Sequence, residues 1–272
     1  MSDYLNDPAL QAGALPLIVA LIVGLLLTRT RFAWLAIIAG YASMIALDGE
    51  FALSPLTATR KVILVGLIAA LVGFSADFLR RPPPYVAYML AILAGVVSTW
   101  AFISVLRQRE DLSAFVLGTG IALFVIAMVS ATLRLRRDGV RMGAAGLGLG
   151  LACGIAGVIS ASIGYLLAGA ALAAASGALL LVQVMTGRML VPGFTGAFPI
   201  GVLAAFFAGA TLLLAQLPWY ALPLLLLIPF AAALPTSVEK GPLIARAAVL
   251  GGYAVAAAAL PILAAWYAAR TS

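Results

Sequence analysis

Between Gly143 and Thr186 the chain runs for 44 residues without a charged side chain. As one helix, at about 1.5 Å per residue, that run would be about 66 Å long, roughly twice the hydrocarbon thickness of a bilayer. It must therefore fold back on itself, and Ser160, Ser162 and Gly164 mark the expected turn. The rest of the chain agrees with lipid as the solvent. Of 272 residues, 65% are apolar and 9% charged, and the mean hydropathy is +1.18. Soluble domains are about half apolar and about a quarter charged, so the composition excludes a water-soluble globule and requires an integral membrane protein.

A crossing helix needs roughly 20 mainly apolar residues. That ruler gives ten candidate spans, near 10–28, 32–47, 62–79, 85–106, 112–133, 144–163, 165–186, 196–216, 219–236 and 243–267. The second and ninth are short, and nine or eleven spans follow if the ninth or the uncharged hairpin divides differently. The expected fold is an all-α polytopic membrane protein of about ten transmembrane helices, forming one transmembrane domain over residues 1–272. Shifting the chain by 133 residues lays spans one to five over six to ten, which divides it into halves 1–136 and 137–272. Five spans per half is odd, so the halves would form a 5+5 inverted repeat, an arrangement many secondary transporters use. Evenly spaced helices produce the same coincidence without a repeat.

The segment Met1 to Asp7 carries Asp3 and Asp7 and no basic residue, unlike a secretory signal, so the first apolar run reads as a retained span. Net charge is +7, but the basic residues sit in short clusters between apolar runs. They read as topology signals and not as a nucleic-acid surface. The loops after spans one, three, five, seven and nine hold eleven of the 16 basic residues, the opposite side five, and six of the nine acids lie on that poorer side. The positive-inside rule then puts both termini outside the cytoplasm. The preference for Arg, with abundant Ala and Gly, suggests a bacterial chain and hence the cytoplasmic (inner) membrane. Trp219, Tyr220, Trp266 and Tyr267 fall at outer ends and Trp34 and Tyr85 at inner ends, as interfacial anchors would. Trp100 lies inside span four and needs a packing explanation.

The residues for catalysis are scarce. There is no His, the commonest general base and metal ligand. The one cysteine, Cys153, sits in an apolar run and reads as a small packing residue. Asp48-Gly49-Glu50 reads as a polar turn, and Glu110 with Asp111 as a loop cluster beside Arg107 and Arg109. No metal site, cofactor motif or phosphate loop is present, which points away from an enzyme. Asp77 is the one acid within an apolar run, three and four residues before Arg80 and Arg81. At that helical spacing it reads as an interfacial ion pair, the alternative being a proton or cation relay. Arg246, four residues into span ten, would snorkel to the cytoplasmic interface.

Backbone irregularity is the stronger functional signal. Small residues recur every fourth position at Gly146, Gly150 and Gly154, at Gly169, Ala173 and Gly177, and at Gly201, Ala205 and Gly209. Such stripes let helices approach closely, within the bundle or at an oligomer interface. Pro218, Pro223, Pro229 and Pro235 interrupt span nine, and Gly196, Pro199 and Gly201 the start of span eight. Interrupted segments point to a transporter's binding site, so a solute path is expected beside Gly196, Pro199, Gly201, Pro223 and Pro229. Gln183 is counted with the same path, because its amide would favour the bundle interior, solvation at the nearby cytoplasmic interface being the alternative. Arg188 and Glu239 bound a stretch without full charge, so the solute should be neutral, zwitterionic or amphipathic.

Two functions remain: a small-solute permease or exporter, and a non-catalytic accessory or scaffold subunit of a cell-envelope membrane complex. Either accommodates a homo- or hetero-oligomer. Span number and a mass of 27.9 kDa are similar to those of drug/metabolite exporters, whose usual cytoplasmic termini run opposite to this charge count, and no family motif accompanies the similarity. The topology has a direct test. Reporter fusions at Ser272 and after Asp138 are expected in opposite compartments, and a common compartment would overturn the ten-span order.

Overall fold

In lipid every backbone amide and carbonyl must be bonded within its own segment, which leaves helices as the form open to apolar runs of this length. The computed structural model describes residues 10–48, 57–79, 82–159, 163–215, 217–239 and 241–271. A π-helical turn, Leu10–Ala14, leads into α1 (Leu15–Leu27). There follow α2 (Leu35–Asp48), α3 (Ala58–Asp77), α4 (Tyr85–Leu106), α5 (Asp111–Arg134) and α6 (Gly139–Ile159). The chain continues through α7 (Ile163–Thr186), α8 (Gly193–Leu214), α9 (Ala221–Ala233) and α10 (Leu243–Thr271). Seven of these, α3 to α8 and α10, are long and apolar enough to cross a membrane, and α1, α2 and α9 are shorter apolar helices. The protein is thus an all-helical, multi-pass membrane protein. The uncharged run breaks between Ile159 and Ile163, and the turn residues Ser160 and Ser162 lie outside the described residues.

The helix α8 is the axis of the bundle. Residues 194–211 are buried without interruption, which is the pattern of a helix that is apolar all round. It packs on α3 and α5 most extensively, and also on α6, α7, α2 and α4. The face that meets lipid is built by other helices, with Ile68 and Leu71 on α3, Ile92 and Val96 on α4, Phe115 and Leu123 on α5, and Leu260 and Leu263 on α10 exposed.

The small-residue stripes are internal. A methyl group on Gly150 would lie 2.7 Å from the Gly169 carbonyl oxygen and 2.8 Å from the Ala173 Cα. One on Gly169 would lie 2.6 Å from the Gly154 Cα. The pair α6 and α7 makes the most extensive helix contact in the protein, and it does so backbone on backbone, as small residues permit in lipid.

The helix contacts do not establish the expected repeat. The pairs α1–α2 and α6–α7 correspond, as do α4–α5 and α9–α10, and α3 packs on its counterpart α8. But α6 packs broadly on α10 with no comparable contact between α1 and α5, and α5 on α8 with none between α10 and α3, among the described residues. Two aromatic residues also differ from expectation. Trp34 is fully buried and not an interfacial anchor, because its indole fills the space above Gly196, 2.6 Å from where a Cβ would stand. Trp100 is half exposed, and its ring carries the Lys61 ammonium 5.0 Å from the centroid, which supplies the explanation its position required.

Since backbone atoms cannot rotate away, Gly150→Ala should lower stability by about 1–3 kcal/mol. Gly120 has open space around it, and Gly120→Ala should be neutral or stabilising by up to about 1 kcal/mol. Unfolding of both variants in detergent checks the contrast.

Candidate functional site

The two ends of the bundle are built differently. At the end that carries most of the arginines, the connections after α1, α3, α5, α7 and α9 are tied to one another. The N-terminus of α8 is buried there, so its first amides need a protein acceptor in place of water. Asp77, the last residue of α3, supplies it. One carboxylate oxygen accepts from the Phe194 amide at 2.9 Å. The other accepts from the Thr195 amide at 2.7 Å and the Thr195 hydroxyl at 2.6 Å. Gly193 makes the approach feasible, with φ of +60° and no Cβ, which would collide with the Asp77 carboxylate. A negative charge at a helix N-terminus also meets the positive end of its dipole. The ion pair expected of Asp77 involves Arg80 and Arg81, which lie outside the described residues.

Asp138 is the second hub, and the sequence reading gave it no role. It caps α6, accepting from the Val140 and Arg141 amides at 3.1 and 3.2 Å. Its other oxygen pairs with Arg141 at 3.3 Å and Arg246 at 2.9 Å. Arg246 is therefore buried in an ion pair where snorkelling was expected. Arg141 in turn donates to the Ala232 and Leu234 carbonyls at 3.1 and 2.9 Å, closing the C-terminus of α9, and pairs with Glu239. Asp138 was legible as a cap, an Asp directly before a helix, but its long-range partners were not.

Two neutral ties complete this end. The Gln183 side chain, fully buried as expected, accepts from the Leu190 amide and donates to the Leu179 carbonyl, both at 3.2 Å. The Trp34 indole donates to the Leu190 carbonyl at 3.3 Å. Arg136 lies with its guanidinium 4.9 Å from the Phe194 ring centroid, and its own carbonyl accepts from the Gly193 amide at 3.0 Å. Burial and the neighbouring Arg137 lower its pKa, with Asp77 working in the opposite direction.

At the opposite end a cavity of about 240 Å³ opens between α2, α3, α7 and α8. Its apolar wall includes Ile45, Val62 and Phe207, and its polar groups are Tyr41, Thr57, Thr59, Arg60 and Tyr165. The Tyr41 ring packs on Phe207, centroids 6.1 Å apart. The Tyr41 side chain is fully buried, and its hydroxyl has no hydrogen-bond partner among the described residues. The Tyr165 hydroxyl interacts with the Thr59 side chain, but not in hydrogen-bond geometry. A buried hydroxyl left unpaired costs about 1–3 kcal/mol. Both tyrosines line the cavity, so their unpaired hydroxyls lie at its wall.

The residues expected beside a solute path are placed elsewhere. Gly196, Pro199 and Gly201 are buried in the first half of α8, where Gly196 faces Trp34 and Gly201 faces Thr132 and Val129. Pro223 lies in the first turn of α9 and Pro229 inside it. None of them, nor Gln183, lines the cavity, which meets α8 further along at Phe207. Tyr41 and Tyr165 were the missed residues. Their signal was a lone phenol inside each of two apolar runs. A second, wholly apolar groove of about 610 Å³ lies between α1, α6, α7 and α10, lined by Leu17, Leu151, Ala173, Gly177 and Ile244 among others. Comparison with protein-family models, curated proteins and solved structures finds no match to this chain.

Asp77 has a distinct expectation. Asp77→Ala should destabilise the protein by about 2 kcal/mol and Asp77→Asn, which keeps one acceptor oxygen, by about 1 kcal/mol. Both should leave any transport or complementation largely intact. Lost activity in well-folded Asp77→Asn would instead mark the carboxylate as a proton or cation relay.

Proposed function

We propose that this chain is a small-solute permease or exporter of the bacterial cytoplasmic membrane, moving a neutral, zwitterionic or amphipathic metabolite without chemical conversion. In this reading all ten helices cross the membrane, both termini lie outside the cytoplasm, and the arginine-rich end faces in. The observation that carries the reading is the cavity at the arginine-poor end, where Tyr41, Thr57, Thr59, Arg60 and Tyr165 stand among apolar side chains and the buried Tyr41 hydroxyl has no hydrogen-bond partner among the described residues. Sites for small solutes are mostly apolar with a few placed polar groups, and here Tyr41, Thr59 and Tyr165 would orient the solute while Phe207 and Ile45 hold its apolar part. The lattice around Asp138 would then be the closed cytoplasmic gate of an outward-facing state, with Asp77 a fixed support of α8.

A second reading rests on the apolar groove between α1, α6, α7 and α10. A groove without polar lining suits a partner's transmembrane helix, as an accessory subunit of an envelope complex would need. The two separate in one experiment. Purified protein in liposomes is screened with neutral and amphipathic metabolites for thermal stabilisation and flux. A true solute at 100 times its dissociation constant should add about 2.7 kcal/mol of stability. Tyr41→Phe should weaken that solute's binding by about 10-fold, the value of one hydrogen bond in a buried site, with the fold retained. No stabilisation by any solute, with one stoichiometric membrane partner co-purifying, would transfer the case to the accessory subunit.

A further inference from the structure

The ionic lattice leaves part of the charge at the arginine-rich end unneutralised. The carboxylates described there are all engaged, Asp77 by the α8 amides, Asp138 by Arg141 and Arg246, and Glu239 by Arg141. Arg134, Arg136 and Arg137 form no ion pair among the described residues. Beside two of them a cleft of about 170 Å³ separates the start of α4 from the end of α5, lined by Pro84, Tyr88, Ser130, Leu133, Arg134 and Arg136. That is ample room for an oxyanion, since one water needs about 10–15 Å³.

The cleft is built at the membrane edge. Tyr88 and Met89 on α4 are exposed on the lipid-facing surface, and Arg134 is exposed at the last turn of α5. The Arg136 guanidinium is held by the Phe194 ring and by a 3.4 Å bond to the Leu133 carbonyl, which pins it and leaves further N–H groups for a ligand. Its neighbours Arg137 and the protein interior disfavour its charge, so an anion placed beside it would be favoured. No carboxylate lines the cleft among the described residues. In sequence, Arg80 and Arg81 stand just before the Pro82–Pro84 run that opens α4.

We propose that this cleft binds a phosphate oxyanion through Arg134 and Arg136, with the Tyr88 and Ser130 hydroxyls as further partners. Guanidinium forks match phosphate oxygens in geometry and charge. Basic pockets between helices at the cytoplasmic face are suited to anionic lipid headgroups. The oxyanion comes from a phospholipid headgroup at the membrane edge or from free phosphate.

The test uses the full chain in phosphatidylcholine vesicles with and without photoactivatable phosphatidylglycerol. Crosslinks in the parent protein are expected on peptides containing Tyr88 or residues 130–136. Arg134→Gln should weaken phosphatidylglycerol binding about fivefold, and adding Arg136→Gln should weaken it about fivefold again. Arg107→Gln with Arg109→Gln, at the opposite end, should change nothing. Inorganic phosphate, compared with chloride at equal ionic strength, distinguishes the sources. If it displaces the lipid, free phosphate enters the site, and if it does not, the headgroup is the ligand. Because Arg136 also supports Phe194, the double variant is judged only if it folds, and Arg134→Gln and the parent crosslinks otherwise decide. Crosslinks confined to other helices, or unchanged binding by folded Arg134→Gln, would overturn the proposal.

Discussion

A helix surrounded by protein on every side has no water for the amides of its first turn, and in α8 those amides sit at the junction of several loops. The Asp77 carboxylate, delivered from the end of α3, satisfies two of them and the Thr195 hydroxyl besides. Much of the arrangement follows from that requirement. α3 must end level with the start of α8, Gly193 must lack a side chain, and Gly73 must let the two helices close to within 3.0 Å of a Cβ position and the Phe194 carbonyl carbon. With α8 fixed at this end, Trp34, Arg136 and Gln183 can pack around it and seal the remaining polar groups.

The contrast between the two ends is the main functional clue. At one, polar groups are matched by polar groups through Asp77, Asp138, Arg141, Arg246 and Gln183. At the other, Tyr41 and Tyr165 line a cavity of mixed polarity, and their buried hydroxyls have no hydrogen-bond partner among the described residues. In a low-dielectric interior an unmatched hydroxyl is costly, and evolution removes such costs readily by Tyr-to-Phe exchange unless the hydroxyl has a use. The same asymmetry sets where movement would have to occur. To pass a solute, the Asp138 ties would exchange partners while the Asp77 cap of α8 and the backbone-tight α6–α7 pair stayed rigid.

The helices were legible because lipid forces apolar runs into helices, and the observed bounds of α4, α5 and α7 fall within a residue or two of those expected from hydropathy alone. Gln183 was legible only in part, since an amide in an apolar run favours partners inside but its place near a helix end left solvation at the interface open. The site was less so. Pro199 and Pro229 do interrupt the hydrogen-bond ladders of their helices, but proline chemistry does not say whether protein or solute fills the space beside it, and Gly196 turned out to serve Trp34. The roles of Asp138 and Tyr41 depend on residues far along the chain, such as Arg246 and Phe207, and local spacing carries no record of those meetings. Arg246 reads as a snorkelling cation until its partner across 108 residues is known.

The central claim is that the bundle is sealed at the arginine-rich end and accessible at the other. Labelling with a membrane-impermeant thiol reagent tests it most directly, in a Cys153→Ala background with single cysteines at Ile63, in the cavity, and at Ala197, in the sealed half of α8. Ile63→Cys should react from the arginine-poor side alone, and Ala197→Cys from neither side until Asp138→Asn loosens the lattice. Reaction of Ile63→Cys only from the arginine-rich side, or free reaction of Ala197→Cys in the otherwise intact protein, would contradict the account.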